Sequence, residues 1–278
     1  MHRTIPHQTI VHFMVALPCE AQPLIERYRL SRLMDEAVFA IYRNDSITLT
    51  VSGVGKTAMA AGAAYTHAIF GKPRTACWLN VGVAGHPDFP LGQACLAHKI
   101  TDRDCGRSWY PPLLMTPPCC TESLVTGSRP ETAYVEKALY DMEASGFYET
   151  ATRFSNSERV QCLKVVSDNR FSPVDSFQAE RVADLLEQQI DKVDILLEQQ
   201  QKLVVAPVEQ QAALAERFIR SWRFSVQQTR QLESLLQRWM LLDPHNCPEP
   251  EQLTGCKNGR QVLDYLREKV EQLPLAFP

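Results

Sequence analysis

The chain has 278 residues, of which 45% are hydrophobic and 22% are charged, and its formal net charge at pH 7 is −3. This length allows one large core or two modest ones, because single cores stop growing near roughly 250 to 300 residues. The small negative charge gives no general case for binding nucleic acid or an anionic membrane, and no apolar run approaches the roughly 20 residues of a transmembrane helix. Residues 1–8 lack the apolar core of a secretory signal, so we expect a cytoplasmic protein.

The first predicted unit is a strand followed by a helix. An apolar run over residues 10–17 has the length of a strand, and a helical pattern follows over residues 21–33. Glu20 lies at the turn between them, so this unit carries an acid where the strand ends. Residues 41–44 and 47–51 then predict two strands joined by a short turn.

A glycine-rich turn, Ser52-Gly53-Val54-Gly55-Lys56, precedes a helix predicted over residues 57–70. The glycines permit a tight turn with exposed N–H groups at a helix start, which suits an anion. The turn lacks the longer span that separates the first glycine from the Gly-Lys pair in a nucleotide P-loop. We therefore interpret it as turn chemistry.

The next two strands lead into candidate binding segments. A strand predicted over residues 75–81 runs into Gly82-Val83-Ala84-Gly85-His86, whose glycines let the backbone come close to a ligand or an activated water. A strand over residues 94–100 leads into a polar loop, residues 101–112. The adjacent Trp109 and Tyr110 in this loop indicate either a lid or stacking surface for a ligand, or a loop packed on its own domain.

Acidic residues mark the next junction between a strand and a helix. Asp141-Met142-Glu143-Ala144 follows a strand predicted to end at Tyr140 and precedes a helix that begins near Ser145. A carboxylate at such a junction points into the crevice where α/β sheets bind ligands, which makes Glu143 the first candidate for a substrate contact. The alternative is that Asp141 and Glu143 are ordinary acids favoured by the dipole at a helix N-terminus.

The rest of the chain completes the sheet and then becomes helical. Strands are predicted over residues 122–126 and 160–166, and the second ends at Ser167-Asp168. A long amphipathic helix is predicted from Asp175 to about residue 203, and three further helices follow Pro207. The sequence thus predicts an α/β domain over residues 1–203, with a central mixed twisted sheet flanked by helices, and an all-helical appendage over residues 204–278.

The nine cysteines indicate neither a disulfide framework nor a metal site. Several lie in apolar, strand-like runs, where a thiol behaves as a small hydrophobic group. The others fit no common zinc spacing, and the count is odd. We expect reduced thiols, no metal and no cofactor.

Glu20, Glu143 and Asp168 fall at the carboxyl ends of separate predicted strands, a placement that brings residues around one crevice. Six segments in order complete a resemblance to the nucleoside phosphorylase and nucleosidase superfamily, and the chain looks most like the methylthioadenosine/S-adenosylhomocysteine nucleosidases. These segments are Ala16-Leu17-Pro18-Cys19-Glu20-Ala21, Ser52-Gly53-Val54-Gly55-Lys56, Asn80-Val81-Gly82-Val83-Ala84-Gly85, Leu91-Gly92-Gln93, Asp141-Met142-Glu143-Ala144 and Ser167-Asp168.

The resemblance implies roles for these residues in hydrolysis of the N-ribosidic bond of a purine nucleoside, with a 5′-modified adenosine as the expected substrate. Glu20 is expected to orient and activate the attacking water, and Gly82, Val83 and Gly85 are expected to bind the substrate. Glu143 is expected to accept hydrogen bonds from the ribose hydroxyls, with Met142 packed beneath the sugar. Asp168 is expected to protonate the purine N7 or bond to it, and Ser167 is expected to position Asp168.

The chain departs from the superfamily at several positions. Phosphorylases hold phosphate with arginines, one of them just before the glycine turn, whereas this chain has Leu79-Asn80-Val81-Gly82 there, which favours hydrolysis. The family's serine in the glycine turn is replaced by Val83, and the segment between Val125 and Asp141 is short. Trp109 or Tyr110 is the candidate replacement for the missing surface against the base. A phosphorylase and a nucleoside-binding protein without activity remain the alternative functions.

The resemblance does not extend to residues 204–278, but it implies a homodimer. An arginine-rich run over residues 217–238 in the appendage indicates either the solvated face of a helical cap or a docking module for a partner protein or nucleic acid.

Overall fold

The computed structural model describes residues 10–33, 38–70, 76–172, 178–205, 207–243, 246–253 and 255–273. It divides into two compact units, Met1–Gln200 and Gln201–Pro278. The start predicted for the long helix, Asp175, lies outside the described residues.

Within the described residues, the first unit contains ten strands, four whole helices and most of a fifth. The strands are β1 (Val11–Val15), β2 (Ser31–Arg32), β3 (Ala40–Arg43), β4 (Ile47–Val51), β5 (Cys77–Gly85), β6 (Ala94–Asp102), β7 (Ser108–Trp109), β8 (Cys120–Thr126), β9 (Leu139–Asp141) and β10 (Val160–Asp168). The helices are α1 (Pro18–Tyr28), α2 (Lys56–Phe70), α3 (Ala144–Ala151), α4 (Ala179–Glu187) and α5 (Ile190–Val205), whose last turn runs into the second unit.

The strands form one mixed sheet in the order β10-β6-β8-β9-β5-β1-β4-β3-β2, with β7 paired to β6. β10 also pairs with β5, so strands β5, β9, β8, β6 and β10 close into a ring, and β1 to β4 extend from it. Strand β5 runs parallel to β1 and β10 and antiparallel to β9. The mixed sheet predicted from the sequence is confirmed, and its closure into a ring is a feature that periodicity does not reveal.

The two faces of the sheet bury separate apolar clusters. On β5, Leu79 and Val81 join the cluster that contains apolar residues of α1, α4 and α5, whereas Trp78 and Ala84 join the cluster of α2 and α3. Because central strands are covered on both faces, they read as continuous apolar runs in the sequence. This packing holds the strand ends, and the polar residues on them, in fixed positions.

The largest departures from the sequence-based expectation are in three elements. Helix α1 ends at Tyr28 because Arg29 takes a left-handed conformation (φ 53°), and the chain then forms β2. Strand β5 continues through Gly85, where a turn was expected, because it remains paired with β10 as far as Asp168. The long helix is broken between Glu187 and Ile190 into α4 and α5.

The second unit contains the three helices predicted from its apolar stripes, α6 (Pro207–Ser221), α7 (Val226–Leu242) and α8 (Gly259–Gln272). Phe218, Leu232, Leu236, Val262 and Leu266 are fully buried and form its core. The N-cap residues of α7 and α8 are Ser225 and Asn258, and each accepts a hydrogen bond from a backbone N–H of the first turn, as capping requires.

Part of the arginine-rich run is neutralised within the appendage. Arg217 pairs with Glu249 at 2.7 Å and Glu251 at 2.8 Å, and Arg220 lies 3.4 Å from Glu216. Among the helices that the structure describes, none combines the length and apolar character needed to cross a membrane.

Candidate active site

Glu20 is buried in the first turn of α1, with 3% of its surface exposed. Its Oε2 accepts hydrogen bonds from the backbone N–H groups of Ala16 (2.8 Å) and Leu17 (2.9 Å), and its Oε1 accepts one from Val83 (2.9 Å). Burial raises the pKa of Glu20, although Lys164 and these N–H groups favour the charged form. A carboxylate that is held rigidly and has a raised pKa suits the role of a general base.

Gly82 leaves the space that this carboxylate occupies. A Cβ atom at position 82 would lie only 2.5 Å from Glu20 Oε1. Val83 contributes its N–H to the same oxygen, while its side chain packs against the core of the sheet. Strand β5 therefore positions Glu20 in two ways: Gly82 leaves room for the carboxylate, and the N–H of Val83 donates to it. Val83 acts here through its backbone.

A buried ion pair lies beside Glu20. Lys164 on β10 has 2% of its side chain exposed, and its Nζ lies 2.9 Å from Oδ2 of Asp141, whose side chain is fully buried. Burial alone would lower the pKa of Lys164. The carboxylates of Asp141, Glu143 and Glu20 nevertheless raise this pKa above its ordinary value. Lys164 is therefore a permanent cation inside a cluster of carboxylates.

Glu143 immediately precedes α3 and is 7% exposed. Its Oε1 accepts a hydrogen bond of 2.8 Å from the N–H of Gly55, which has a φ of +103° that favours glycine. Burial, and then the nearby charge of Asp141, raises the pKa of Glu143 to about 7. The glycine turn that was expected to suit an anion thus binds a carboxylate of the same chain.

Asp168 ends β10 and is 8% exposed. Its Oδ1 accepts a hydrogen bond of 2.6 Å from the hydroxyl of Ser167, and its Oδ2 accepts one from the hydroxyl of Tyr134. A Cβ atom at Gly85 would lie 2.5 Å from Asp168 Oδ2 and 3.0 Å from Cε1 of Tyr134. Each oxygen of Asp168 therefore has a hydroxyl donor from its own chain.

Two of the three predicted acids lie in one electrostatic cluster. The charge of Glu20 contributes to the raised pKa of Glu143, after burial and Asp141. Asp168, on β10, contacts β5 at a later residue than Glu20 does, because Asp168 lies beside Gly85, whereas Glu20 lies beside Gly82. Three residues of a strand span about 10 Å. That all three acids line one hollow stays a prediction.

The other residues proposed from the sequence lie in different environments. Met142 is half-buried, and its N–H donates to Oε2 of Glu143 at 3.3 Å. Trp109 is half-buried on β7, with the guanidinium of Arg107 at 5.0 Å from its ring centroid. Tyr110 is 67% exposed. Stacking of either ring against a base stays a prediction.

Sequence reasoning missed Lys164, its partner Asp141 and Tyr134. A signal for Lys164 existed, since a lysine inside the apolar run of residues 160–166 has to find an acidic partner when the strand is buried. Asp141 was interpreted only as a helix acid. Tyr134 had no comparable signal, because it belongs to a segment without periodicity.

Comparisons with known proteins agree with this architecture. No family model matches the chain, and no curated protein matches it. Solved structures do match. The 5′-methylthioadenosine nucleosidase of Arabidopsis thaliana has a TM-score of 0.57 and 17% identity, with 68% of this chain and 95% of that chain covered.

Two bacterial structures match similarly. The 5′-methylthioadenosine/S-adenosylhomocysteine nucleosidase of Campylobacter jejuni has a TM-score of 0.53 and 16% identity, covering 68% of this chain and 99% of that one. The corresponding nucleosidase of Colwellia psychrerythraea, in complex with adenine, has a TM-score of 0.55 and 16% identity, covering 70% and 96%. The chain therefore has the nucleosidase fold over about two thirds of its length.

Proposed function

We propose that this protein, which has the nucleosidase fold, hydrolyses the N-ribosidic bond of a purine nucleoside, with a 5′-modified adenosine as its substrate class. The observation that carries the proposal is the buried Glu20 carboxylate, fixed by backbone N–H groups against Gly82 and next to Lys164 and Glu143. The likeness to nucleosidase structures supports it, and one of these was solved with adenine.

The chemistry needs a base on one side of the sugar and an acid on the other. Cleavage of an N-ribosidic bond passes through an oxocarbenium-like state, so the leaving base has to be neutralised while water is prepared on the opposite face. In the proposed mechanism Glu20 takes the proton of the attacking water. Asp168, protonated before the bond breaks, transfers its proton to the departing base and becomes the carboxylate to which the Ser167 hydroxyl donates at 2.6 Å.

Glu143 binds the ribose in this mechanism. Its raised pKa of about 7 makes it a strong acceptor for hydroxyl donors once it is ionised. Lys164 offsets part of the repulsion between Glu143 and Glu20, because its positive charge favours the ionised form of both. Met142 precedes Glu143 and supplies the apolar contact beneath the sugar.

Phosphorolysis is the second candidate, and the position of Lys164 is the observation that favours it. The backbone of Lys164 pairs with that of Gly82 in the ladder between β10 and β5. The fold therefore brings a cation next to the glycine segment, although residues 79–85 contain no lysine or arginine. The charge of Lys164 is already paired with Asp141 at 2.9 Å. A phosphate dianion would have to enter a cluster whose other members are carboxylates, which favours water as the nucleophile.

The experiment that tests the proposal measures release of free base from a panel of purine nucleosides and 5′-modified adenosines, with and without phosphate. We expect turnover without phosphate, and a loss of about 10²- to 10⁴-fold in Glu20→Gln and Asp168→Asn, the range for removing a general base or acid. Arg153→Met is the matched control, because Arg153 is exposed and pairs only with Glu149 in the described contacts.

The outcomes separate the alternatives. Turnover that depends on phosphate would replace hydrolysis by phosphorolysis. Binding of a nucleoside with no release of base would leave a binding protein. Full activity in both acid variants would refute the assigned roles, whatever the reaction. Trp109→Ala and Tyr110→Ala test the stacking prediction, which fails if neither variant changes KM.

The proposal extends to assembly and location. We expect a homodimer in the cytoplasm, and light scattering of the purified chain measures the assembly directly. A truncated chain ending at residue 203 tests whether the appendage contributes to dimer formation or serves a separate protein partner.

A further inference from the structure

Tyr134 is the residue whose placement the reaction scheme leaves unexplained. It belongs to the irregular segment between β8 and β9, residues 127–138, yet only 2% of its surface is exposed. Its φ of +45° lies in the left-handed region that residues other than glycine rarely adopt. Such a conformation persists only where surrounding contacts impose it.

Those contacts hold the backbone of Tyr134 from both sides. The carboxylate of Glu131 accepts hydrogen bonds from the N–H groups of Ala133 (2.6 Å) and Tyr134 (3.2 Å). The guanidinium of Arg170 donates to the carbonyl of Tyr134 at 2.8 Å. Because the backbone is fixed, the ring can leave its position only by rotation about the side-chain bonds.

The far end of the ring meets the proposed acid. The Tyr134 hydroxyl donates to Asp168 Oδ2, and both groups fill the space that Gly85 leaves because it has no Cβ. Burial, and then the Asp168 carboxylate, raises the pKa of Tyr134, so the phenol keeps the proton that it donates. The ring also packs edge-to-face with that of Tyr140, with centroids 5.9 Å apart.

The direction of this hydrogen bond, from a donor to the Asp168 carboxylate, is the same as that of the bond expected from a departing base. When Asp168 has transferred its proton to a purine nitrogen, the base N–H donates to the carboxylate that remains. The phenol O–H of Tyr134 donates to the same carboxylate from a planar aromatic ring of similar thickness. The Tyr134 hydroxyl and a base N–H cannot both donate to Oδ2 of Asp168 from the same position.

Resting on the proposed function, we propose that Tyr134 occupies the leaving-base position beside Asp168, and that a purine has to displace its hydroxyl before it can be protonated. Tyr134 is then a specificity-determining residue. A base competes successfully only if one of its ring nitrogens replaces the phenol at Asp168 and its ring fits above Gly85. Pyrimidine and purine bases differ in this respect, since the imidazole nitrogen N7 exists only in purines.

The test measures the affinity of the purified protein for free adenine by calorimetry, in wild type and in Tyr134→Phe. The phenylalanine keeps the ring and removes the competing donor, so we expect adenine to bind about tenfold more tightly, because a hydrogen bond to a charged group no longer has to be broken. Tyr140→Phe is the matched control. Its hydroxyl bonds the backbone of Glu136, and its loss should leave adenine affinity unchanged.

Equal or weaker adenine binding in Tyr134→Phe overturns the inference, because a purely structural tyrosine gives that result. Glu131→Gln serves if Tyr134→Phe does not fold, since it weakens the hold on the backbone of Tyr134 and should also tighten adenine binding. If wild type releases no base from nucleosides but Tyr134→Phe binds adenine more tightly, the hydrolytic function fails and this inference stands. If wild type hydrolyses nucleosides, but Tyr134→Phe and Glu131→Gln bind adenine as wild type does, the inference alone fails.

Discussion

Replacing Lys164 by methionine should be one of the most destabilising single substitutions in the first unit. The side chains of Lys164 and Asp141 are 2% and 0% exposed, and their charged atoms lie 2.9 Å apart. At that distance the attraction is about 6 kcal/mol for an effective dielectric constant of about 20. Part of it is offset by desolvation, and breaking such a pair typically costs about 3–5 kcal/mol because it leaves a buried charge without its partner.

The remaining contacts of Asp141 do not replace the cation. The Thr126 hydroxyl and the Ala144 N–H still donate to its carboxylate, at 2.7 and 2.8 Å, but both are neutral. For a unit of this size, about 1 kcal/mol shifts the melting temperature by about 2–4 °C. We therefore expect Lys164→Met to lower it by about 6–20 °C, as measured by differential scanning calorimetry.

A second substitution tests the charge argument. Asp141→Asn in the Lys164→Met chain keeps an oxygen for Thr126 and removes the unpaired charge, so it should restore at least half of the lost stability. Arg153→Met removes an exposed pair with Glu149 at 3.5 Å and should cost less than about 1 kcal/mol. A melting temperature of Lys164→Met within about 2 °C of wild type, or no recovery in the double variant, would refute the reasoning.

Two further predictions concern pH and the space beside Glu20. Glu143 has a folded-state pKa of about 7 against an ordinary value of 4.5, so the folded protein holds a proton that the unfolded chain has released. Stability due to this group therefore falls as pH rises from about 4.5 to 7, and Glu143→Gln should gain stability relative to wild type across that window in melts recorded at several pH values. An equal difference between the two proteins at pH 5 and pH 8 contradicts this. Gly82→Ala places a Cβ 2.5 Å from Glu20 Oε1, so kcat should fall about 10²-fold at a stability cost of about 1–3 kcal/mol. Gly255→Ala, which meets no atom within 4 Å, is the control, and equal kcat in the two alanine variants would argue against Glu20 as the base.

Much of the architecture could be predicted from the sequence because the apolar periodicity that defines strands and helices is local. The apolar runs correctly placed β1, β4, β5, β6 and β10, and the stripes beyond Pro207 correctly placed three helices. Glu20, Glu143 and Asp168 were singled out for a related reason, since Asp168 ends a strand and the other two acids lie a few residues beyond one. The sequence positions of these acids could therefore be predicted before any strand pairing was known.

Partnerships between distant segments could be decided only by the tertiary structure. Lys164 meets Asp141 because β10 and β9 both pair with β5, and the hydrogen bonds of a ladder leave no mark in either strand's own sequence. Gly55 reaches Glu143 across 88 residues of chain for a similar reason.

Tyr134 is the clearest case of a position that local pattern does not determine. Its segment has no helical or strand periodicity, so its burial depends on Glu131, Arg170 and the carboxylate of Asp168. The sequence determined which acids lie at the strand ends or just beyond them, because hydrophobic patterning acts over a few neighbouring residues. The tertiary structure decided which donors and cations face those acids, because long-range pairing brings them together only when the sheet closes.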